Sequence, residues 1–251
     1  MMEIRQSAGK SGNNPLTPQR LHAGPLLARE GGDIVHKESR LNEVSAILIG
    51  LILGDGHVTP ITPRSLKSDL KVAYSDKYIT YLQWLHGKLS PIGMGVISTI
   101  PSKNQHAFSS LASSLMAEYR KIFYPEGRKI VPLNIAELLT EPLSLAIWYM
   151  DDGTLINQFS KSYYAARFAT YSFTYEEHLL LKAALSENFG IETSIVSSAM
   201  RGKKYFRLDI PTAYTSKFIE IVRPHILPCF SYKIADRIAG TRLTASRRGN
   251  T

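Results

Sequence analysis

Apolar residues recur at helical spacing in two stretches that end alike. Residues 45–56 read Ser-Ala-Ile-Leu-Ile-Gly-Leu-Ile-Leu-Gly-Asp-Gly, and residues 141–153 read Glu-Pro-Leu-Ser-Leu-Ala-Ile-Trp-Tyr-Met-Asp-Asp-Gly. Each is an apolar run of helical length that stops at Asp-Gly. Placing Asp55 on Asp152 sets an offset of 97 residues (152 − 55 = 97). The same offset carries Tyr74-Ser75 onto Tyr171-Ser172 and Gly93 onto Gly190. Two unrelated apolar helices would not share three anchors in one register. A duplicated unit of about a hundred residues would.

Each unit reads as helix, two strands, helix, two strands, helix, which makes the chain α+β. In the first unit the pattern predicts helices over 41–54, 77–89 and 110–123, and strands over 69–75, 95–100 and 105–108. In the second it predicts helices over 142–150, 175–189 and 213–222, and strands over 163–173, 193–197 and 205–210. The boundaries that follow are an N-terminal extension at 1–39, units at 40–133 and 134–238, and a basic tail at 239–251. The extension mixes Gly, Pro, Asn and charge without periodicity and reads as loosely ordered. Glu3, Glu30 and Asp33 set it apart from an acid-poor transit peptide.

Charge narrows the class of partner. Thirty Lys and Arg oppose 21 Asp and Glu, a formal net charge of +9 over 251 residues. That excess favours a polyanion, nucleic acid ahead of an anionic membrane surface, although an ordinary basic enzyme can carry it too. Cys229 is the only cysteine, which excludes an internal disulfide and a Cys-rich zinc site and fits a reducing compartment. The longest apolar stretch, 44–53, is about half of what a membrane-spanning helix needs.

The two Asp-Gly ends are candidate chemistry. Gly56 and Gly153 are expected to take the left-handed conformation that closes helices. The aspartates need another reason. A carboxylate at a helix C-terminus faces the negative end of the dipole, at a cost of a few tenths to about 1 kcal/mol. Bearing that cost at both repeat-equivalent positions implies a positive partner, and a divalent metal held by hard oxygens is the natural one. Gly50 and Gly54 share one helix face and permit close approach of the second helix, with Ala146 expected on the opposing face. Parallel packing would then set Asp55 beside Asp152.

These segments resemble the two motifs of the double-motif LAGLIDADG homing endonucleases, over about residues 40–236. The likeness rests on Gly-Leu-Ile-Leu-Gly-Asp at 50–55, Leu-Ala-Ile-Trp-Tyr-Met-Asp-Asp-Gly at 145–153 and Ser-Phe-Thr-Tyr-Glu-Glu at 172–177. It is similar to the branch containing the yeast mitochondrial omega-intron endonuclease. The resemblance implies two pseudo-twofold-related αββαββα units with antiparallel, saddle-shaped sheets, packed through the two motif helices. It implies that Asp55 and Asp152 bind metal, with Asp151 a neighbour. It also implies a lysine in each half that reaches the active site. Arg128-Lys129-Ile130 and Tyr232-Lys233-Ile234 match its context, which assigns catalytic roles to Lys129 and Lys233; the plain alternative is two surface lysines. Magnesium is the expected ion, with manganese a substitute and calcium binding without supporting cleavage.

The expected substrate is a long, asymmetric DNA duplex, cut once in each strand to promote intron mobility. The expected state is a monomer containing its own pseudo-dimer, in an organelle and apart from any membrane. Residues expected to meet DNA gather at hairpin tips: Arg64 and Lys67; Lys103, Asn104 and Gln105; Asn157, Gln158 and Lys161; Arg201, Lys203 and Lys204. Lys71, Arg167 and Arg207 lie on strands. Arg, Asn and Gln can read base edges, while Lys and Arg neutralise phosphates. Loops are hydrophilic for duller reasons as well, so the weight rests on the clustering in four hairpins. His57 reads as a loop residue near the DNA. Tyr149-Met150-Asp151-Asp152 is also the metal-binding tetrad of reverse transcriptases, but there it sits in a strand hairpin, and here it ends a helix. The alternative function is an intron-encoded RNA maturase on the same fold, which would bind intron RNA and need neither aspartate.

Overall fold

The computed structural model describes residues 31–62, 64–158, 163–200 and 202–235. The elements run α1 (Gly31–Leu53), β1 (His57–Val58), β2 (Leu70–Ser75), α2 (Ile79–Lys88), β3 (Ser98–Ile100), β4 (Gln105–Ser109) and α3 (Ser114–Phe123) in the first half. A short α4 (Ile135–Leu138) leads into α5 (Pro142–Asp152), β5 (Gly153–Gln158), β6 (Tyr163–Phe168), α6 (Tyr175–Phe189), β7 (Ser194–Met200), β8 (Lys203–Ile210) and α7 (Thr212–Val222). Each half builds one four-stranded sheet of equivalent order, β1-β2-β4-β3 and β5-β6-β8-β7. All the strand pairs are antiparallel.

Alternation along β2 fixes the faces of the first sheet. Leu70, Val72 and Tyr74 are buried, and Lys71 and Ala73 are exposed. The apolar set joins a core shared with Tyr81, Leu82 and Leu85 of α2 and Met116 and Phe123 of α3. In the second half Phe168 of β6 stacks on Trp148 at 4.1 Å and meets Phe218 of α7 edge-on. Both sheets therefore cover the core with one face and leave the other without helices.

The two halves join through α5 and the part of α1 from Val44 onward, which are buried almost all round, as expected of helical segments that are apolar on every face. Gly50 lies against the Ser144 carbonyl and Ile147, and Gly54 lies against Asp151. Both pairs keep the offset of 97 residues, so the helices run parallel. The face of α5 that meets the glycines is that of Ser144, Ile147 and Asp151; Ala146 lies about a third of a turn away from it.

Several expectations shift. Helix α1 starts at Gly31 instead of residue 41, which makes part of the expected extension helical, and residues 1–30 and 236–251 lie outside the described residues. The strand expected over 163–173 stops at Phe168. Ala169 turns its N–H to the Asp152 carbonyl, and Phe173 closes a turn onto Thr170. β1, β5 and α4 had no distinct pattern of their own. Gly56 and Gly153 are not left-handed: Gly153 is extended, at φ −81° and ψ 149°, and Gly56 has no positive φ. Space requires them instead. A Cβ on Gly56 would lie 2.8 Å from the Leu51 carbonyl oxygen, and one on Gly153 would collide with Tyr149.

The same geometry makes the helix interface testable. A methyl group at Gly50 would lie 2.5 Å from the Ser144 oxygen and 2.8 Å from the Ile147 Cβ. Gly50→Ala should destabilise the fold by about 1–3 kcal/mol through overpacking, although alanine favours helix more than glycine does. The expected readout is a lower urea midpoint with an unchanged slope. A midpoint at or above the parent's would refute the close parallel contact.

Candidate active site

The C-terminal ends of α1 and α5 converge on three carboxylates. Asp151 belongs to the second half but bonds only to the first through its side chain. Its Oδ1 accepts from the hydroxyls of Tyr74 (2.7 Å) and Tyr81 (3.2 Å), and its Oδ2 accepts from the backbone N–H of Asp55 (3.1 Å). Gly54, its repeat equivalent, has no side chain, and that vacancy is what admits the Asp151 carboxylate across the interface. With both oxygens engaged, Asp151 ties the backbone of Asp55 to α5. Asp55 is exposed and Asp152 half-buried, so both can meet a ligand.

Each helix end also receives a lysine from its own half. Lys129 Nζ donates to the Gly54 carbonyl at 2.6 Å. Lys233 Nζ donates to the Met150 carbonyl at 2.6 Å and lies 3.3 Å from that of Tyr149. The positive partner inferred for these helix ends is thus supplied partly by the protein: ammonium groups on the last carbonyls, where the dipole favours cations.

The residue before each lysine reaches across to the opposite half. Arg128 forms a two-pronged ion pair with Glu177, at 2.8 and 3.2 Å. Glu177 also completes a capping box with Thr174 at the start of α6. Tyr232 bonds Tyr78 hydroxyl to hydroxyl at 2.9 Å, at the entrance to α2, while Phe230 stacks on the Tyr78 ring at 4.8 Å. The lysine contexts were visible in sequence. These crossed straps were not, because Arg128 and Glu177 lie 49 residues apart with no periodicity to join them.

Burial pushes Asp151 up to about 8, and the Asp55 charge adds to the rise. Asp152 is pushed up to about 7, first by burial and then by Asp55, while Lys129 and Lys233 pull the other way. Partial desolvation of its carboxyl also raises Asp55, although the residue as a whole is exposed, and burial lowers both lysines. Two carboxylates that resist ionising together form a hard-oxygen donor set that fits a divalent cation. Among the described residues no group of three or more His, Cys, Asp or Glu could hold a metal, so Asp55 and Asp152 would supply only part of its shell.

The residues expected to meet DNA separate by sheet face. Pairing aligns His57, Lys71 and Ser109 on the helix-free face of the first sheet, with Gln105 further along it. On the second sheet the corresponding face carries Thr154, Arg167, Asp209, Arg207 and Lys203. Lys204 alternates to the other face, 5.3 Å from the Phe206 ring. Arg64, Lys67, Lys103 and Asn104 are exposed in loops, and Asn104 adopts a left-handed turn at φ 51°. Asn157 and Gln158 end β5, and nothing is described of their side chains; Lys161 and Arg201 lie outside the described residues. His57 is exposed on β1, its ring edge-on to Tyr124 at 5.6 Å.

Fold and site together define a class: a duplicated α+β unit folded about two parallel helices, with a carboxylate at the end of each. The chain belongs to the LAGLIDADG DNA endonuclease family, whose model matches residues 45–218. The protein RecA of Mycobacterium shimoidei is 27% identical over 251 residues, covering 92% of this chain and 58% of that protein. DNA endonuclease I-ChuI of Chlamydomonas applanata is 26% identical over 210 residues, covering 76% of this chain and 93% of that one. The homing endonuclease I-WcaI, solved bound to its DNA recognition sequence, superposes with a TM-score of 0.60 at 22% identity, over 83% of this chain and 95% of its own. No helix among the described residues is long and apolar enough to cross a membrane.

The carboxylate site should leave a mark on stability. The folded protein holds a proton on Asp152 up to about pH 7, whereas the unfolded chain releases it near 3.8. Between those values the folded state binds more protons, so this group's contribution to stability falls as pH rises. In metal-free buffer the urea midpoint of Asp152→Asn should gain on the parent's as pH rises from about 4 to about 8. A difference that stays constant across that window would show that Asp152 ionises freely in the fold.

Proposed function

We propose that this protein is a site-specific homing endonuclease that hydrolyses one phosphodiester in each strand of a long, non-palindromic DNA duplex. The observation that carries this reading is the arrangement of two acidic helix ends side by side. Each has its own lysine, and each lies at the inner end of a four-stranded sheet whose helix-free face bears cationic side chains. One chain supplies both halves, so it acts as a monomer with an internal pseudo-dimer. Its mobility function is that of an intron-encoded protein in an organelle.

Each sheet's helix-free face lies along one half-site in the major groove, whose width admits a β-ribbon. Lys71 and Lys203 on that face and Arg64 and Lys103 in the adjoining loops balance phosphate charge. Asp55 and Asp152, at the convergent ends of α1 and α5, would then each lie near one scissile phosphate. Asp55 and Asp152 would hold the divalent metal, magnesium with manganese as a substitute, which when bound polarises phosphate oxygens and lowers the pKa of water. Lys129 and Lys233 sit one residue or so behind these carboxylates on the helix carbonyls and offset the negative charge that builds on the phosphate. Asp151 holds Asp55 in register. Water adds its oxygen to phosphorus, one P–O ester bond breaks, and the products are a phosphomonoester and an alcohol.

Asp55→Asn and Asp152→Asn should each abolish double-strand cleavage while duplex binding measured in calcium survives or tightens, because each amide removes a negative charge beside phosphates. Lys129→Ala and Lys233→Ala should slow cleavage less, and one strand more than the other, which a nicked intermediate on a gel would reveal. Cleavage by either Asn variant at the parent rate would sink the metal-site assignment. Binding to the duplex should also weaken steeply with salt, since each phosphate contact contributes about one unit to the logarithmic slope.

A further inference from the structure

The second sheet carries an acidic residue where a DNA-facing surface should avoid one. Asp209 lies on the helix-free face of β8 and is only 7% exposed. Two arginines hold it. Arg167, its partner across β6, binds both carboxylate oxygens through Nε (2.8 Å) and Nη2 (3.0 Å). Arg207, two residues along β8 on the same face, donates through Nε alone at 3.0 Å. The first sheet has no such group: its matching positions hold Lys71 and Ser109, which lie opposite each other.

We propose that Asp209 is a positioning residue that aims Arg207 at a guanine in the half-site bound by the second unit, with Arg167 as its brace. This rests on the endonuclease reading and specifies its substrate. The chemistry follows from which nitrogens are engaged. A carboxylate on Nε fixes the plane of the Arg207 guanidinium and leaves its two Nη groups as a parallel fork. Guanine presents O6 and N7 at the spacing of that fork in the major groove, and no other base offers two acceptors there. A flexible Arg alone would also find phosphates, whereas one held in plane loses less freedom on docking and is selective for a bidentate acceptor. The bidentate Arg167 pair keeps the Asp209 charge compensated, so the cluster remains cationic by one charge and does not repel the duplex.

Position along the groove follows from the sheet. Arg167 pairs with Thr154, which is two residues from Asp152. At about 3.3 Å per residue the Arg167–Asp209 pair stands about 7 Å along the strand from the candidate metal ligand, or about two base-pair steps, and Arg207, two residues back along β8, falls level with Asp152 two strands away. The guanine should therefore lie within about four base pairs of the cut, on one side only.

The test is a cleavage profile of the full chain against long duplexes randomised in sequence and sorted by cutting in magnesium. The parent should demand guanine at one base pair near the cut, by about 5- to 150-fold over the other bases. Asp209→Asn should flatten the preference at that base pair and leave the rest of the profile in place. Arg207→Lys keeps the charge and loses the fork, so it should flatten the same base pair without changing the salt slope. It also keeps the proposal testable should Asp209→Asn fold poorly. A parent with no guanine preference near the cut overturns the proposal and leaves the endonuclease reading standing. So does an unchanged profile in Arg207→Lys, or a loss of preference spread evenly over all positions. A parent that cuts no duplex of the library overturns the endonuclease reading itself, and this inference with it.

Discussion

Close parallel packing of α1 on α5 forces two carboxylates to the negative ends of two helices, in partial burial and within reach of each other's charge. Much of this end of the molecule answers that charge. Lys129 and Lys233 occupy the final carbonyls. Asp151 directs its two carboxyl oxygens into a set of three donors from the first half. What is left uncompensated sits on Asp55 and Asp152, and burial together with Asp55 pushes Asp152 up to about 7. Two carboxylates in that state are poised for a cation of higher charge than an ammonium.

The glycines make this possible at the cost of interface surface. Gly50 and Gly54 give up side-chain packing so that two backbones can approach, and Gly56 and Gly153 do so where strands depart. Stability is recovered further out. Arg128 and Tyr232 carry contacts from each half to the first helix behind the other half's sheet. Each lysine is thus flanked by a residue bound to the opposite half, so the position of each active-site cation depends on how the halves are docked. A single chain with one interface then behaves as one body.

The halves share a scaffold and differ in their details. Asp151 has Gly54 as its equivalent. The Arg128–Glu177 ion pair is answered by a tyrosine pair, and the Arg167–Asp209–Arg207 cluster by Lys71 and Ser109. Duplication kept the backbone plan and the closing Asp-Gly, while the helix interface pairs unlike equivalents, Gly50 with Ile147 and Gly54 with Asp151, because a side chain on one helix needs room on the other. The helix-free faces carry no such constraint, and there the two sheets have diverged into different arrangements of charge.

The sequence alone determined the repeat, the two apolar helices with their closing aspartates, the α+β character and the lysine contexts, because each is written in local periodicity or in a motif with a fixed spacing. Alternation likewise placed Lys71, Arg167 and Arg207 on strands. Only the tertiary structure decided that Asp151 faces Tyr74, Tyr81 and Asp55, that Arg128 reaches Glu177, and that Asp209 gathers two arginines. Those partners come from different elements, brought together by sheet register and helix packing. It also decided why Gly56 and Gly153 are glycines. Sequence suggests a left-handed cap for any glycine at a helix end, whereas the actual reason, the nearness of the Leu51 backbone and of Tyr149, exists only once the helices have turned into their strands.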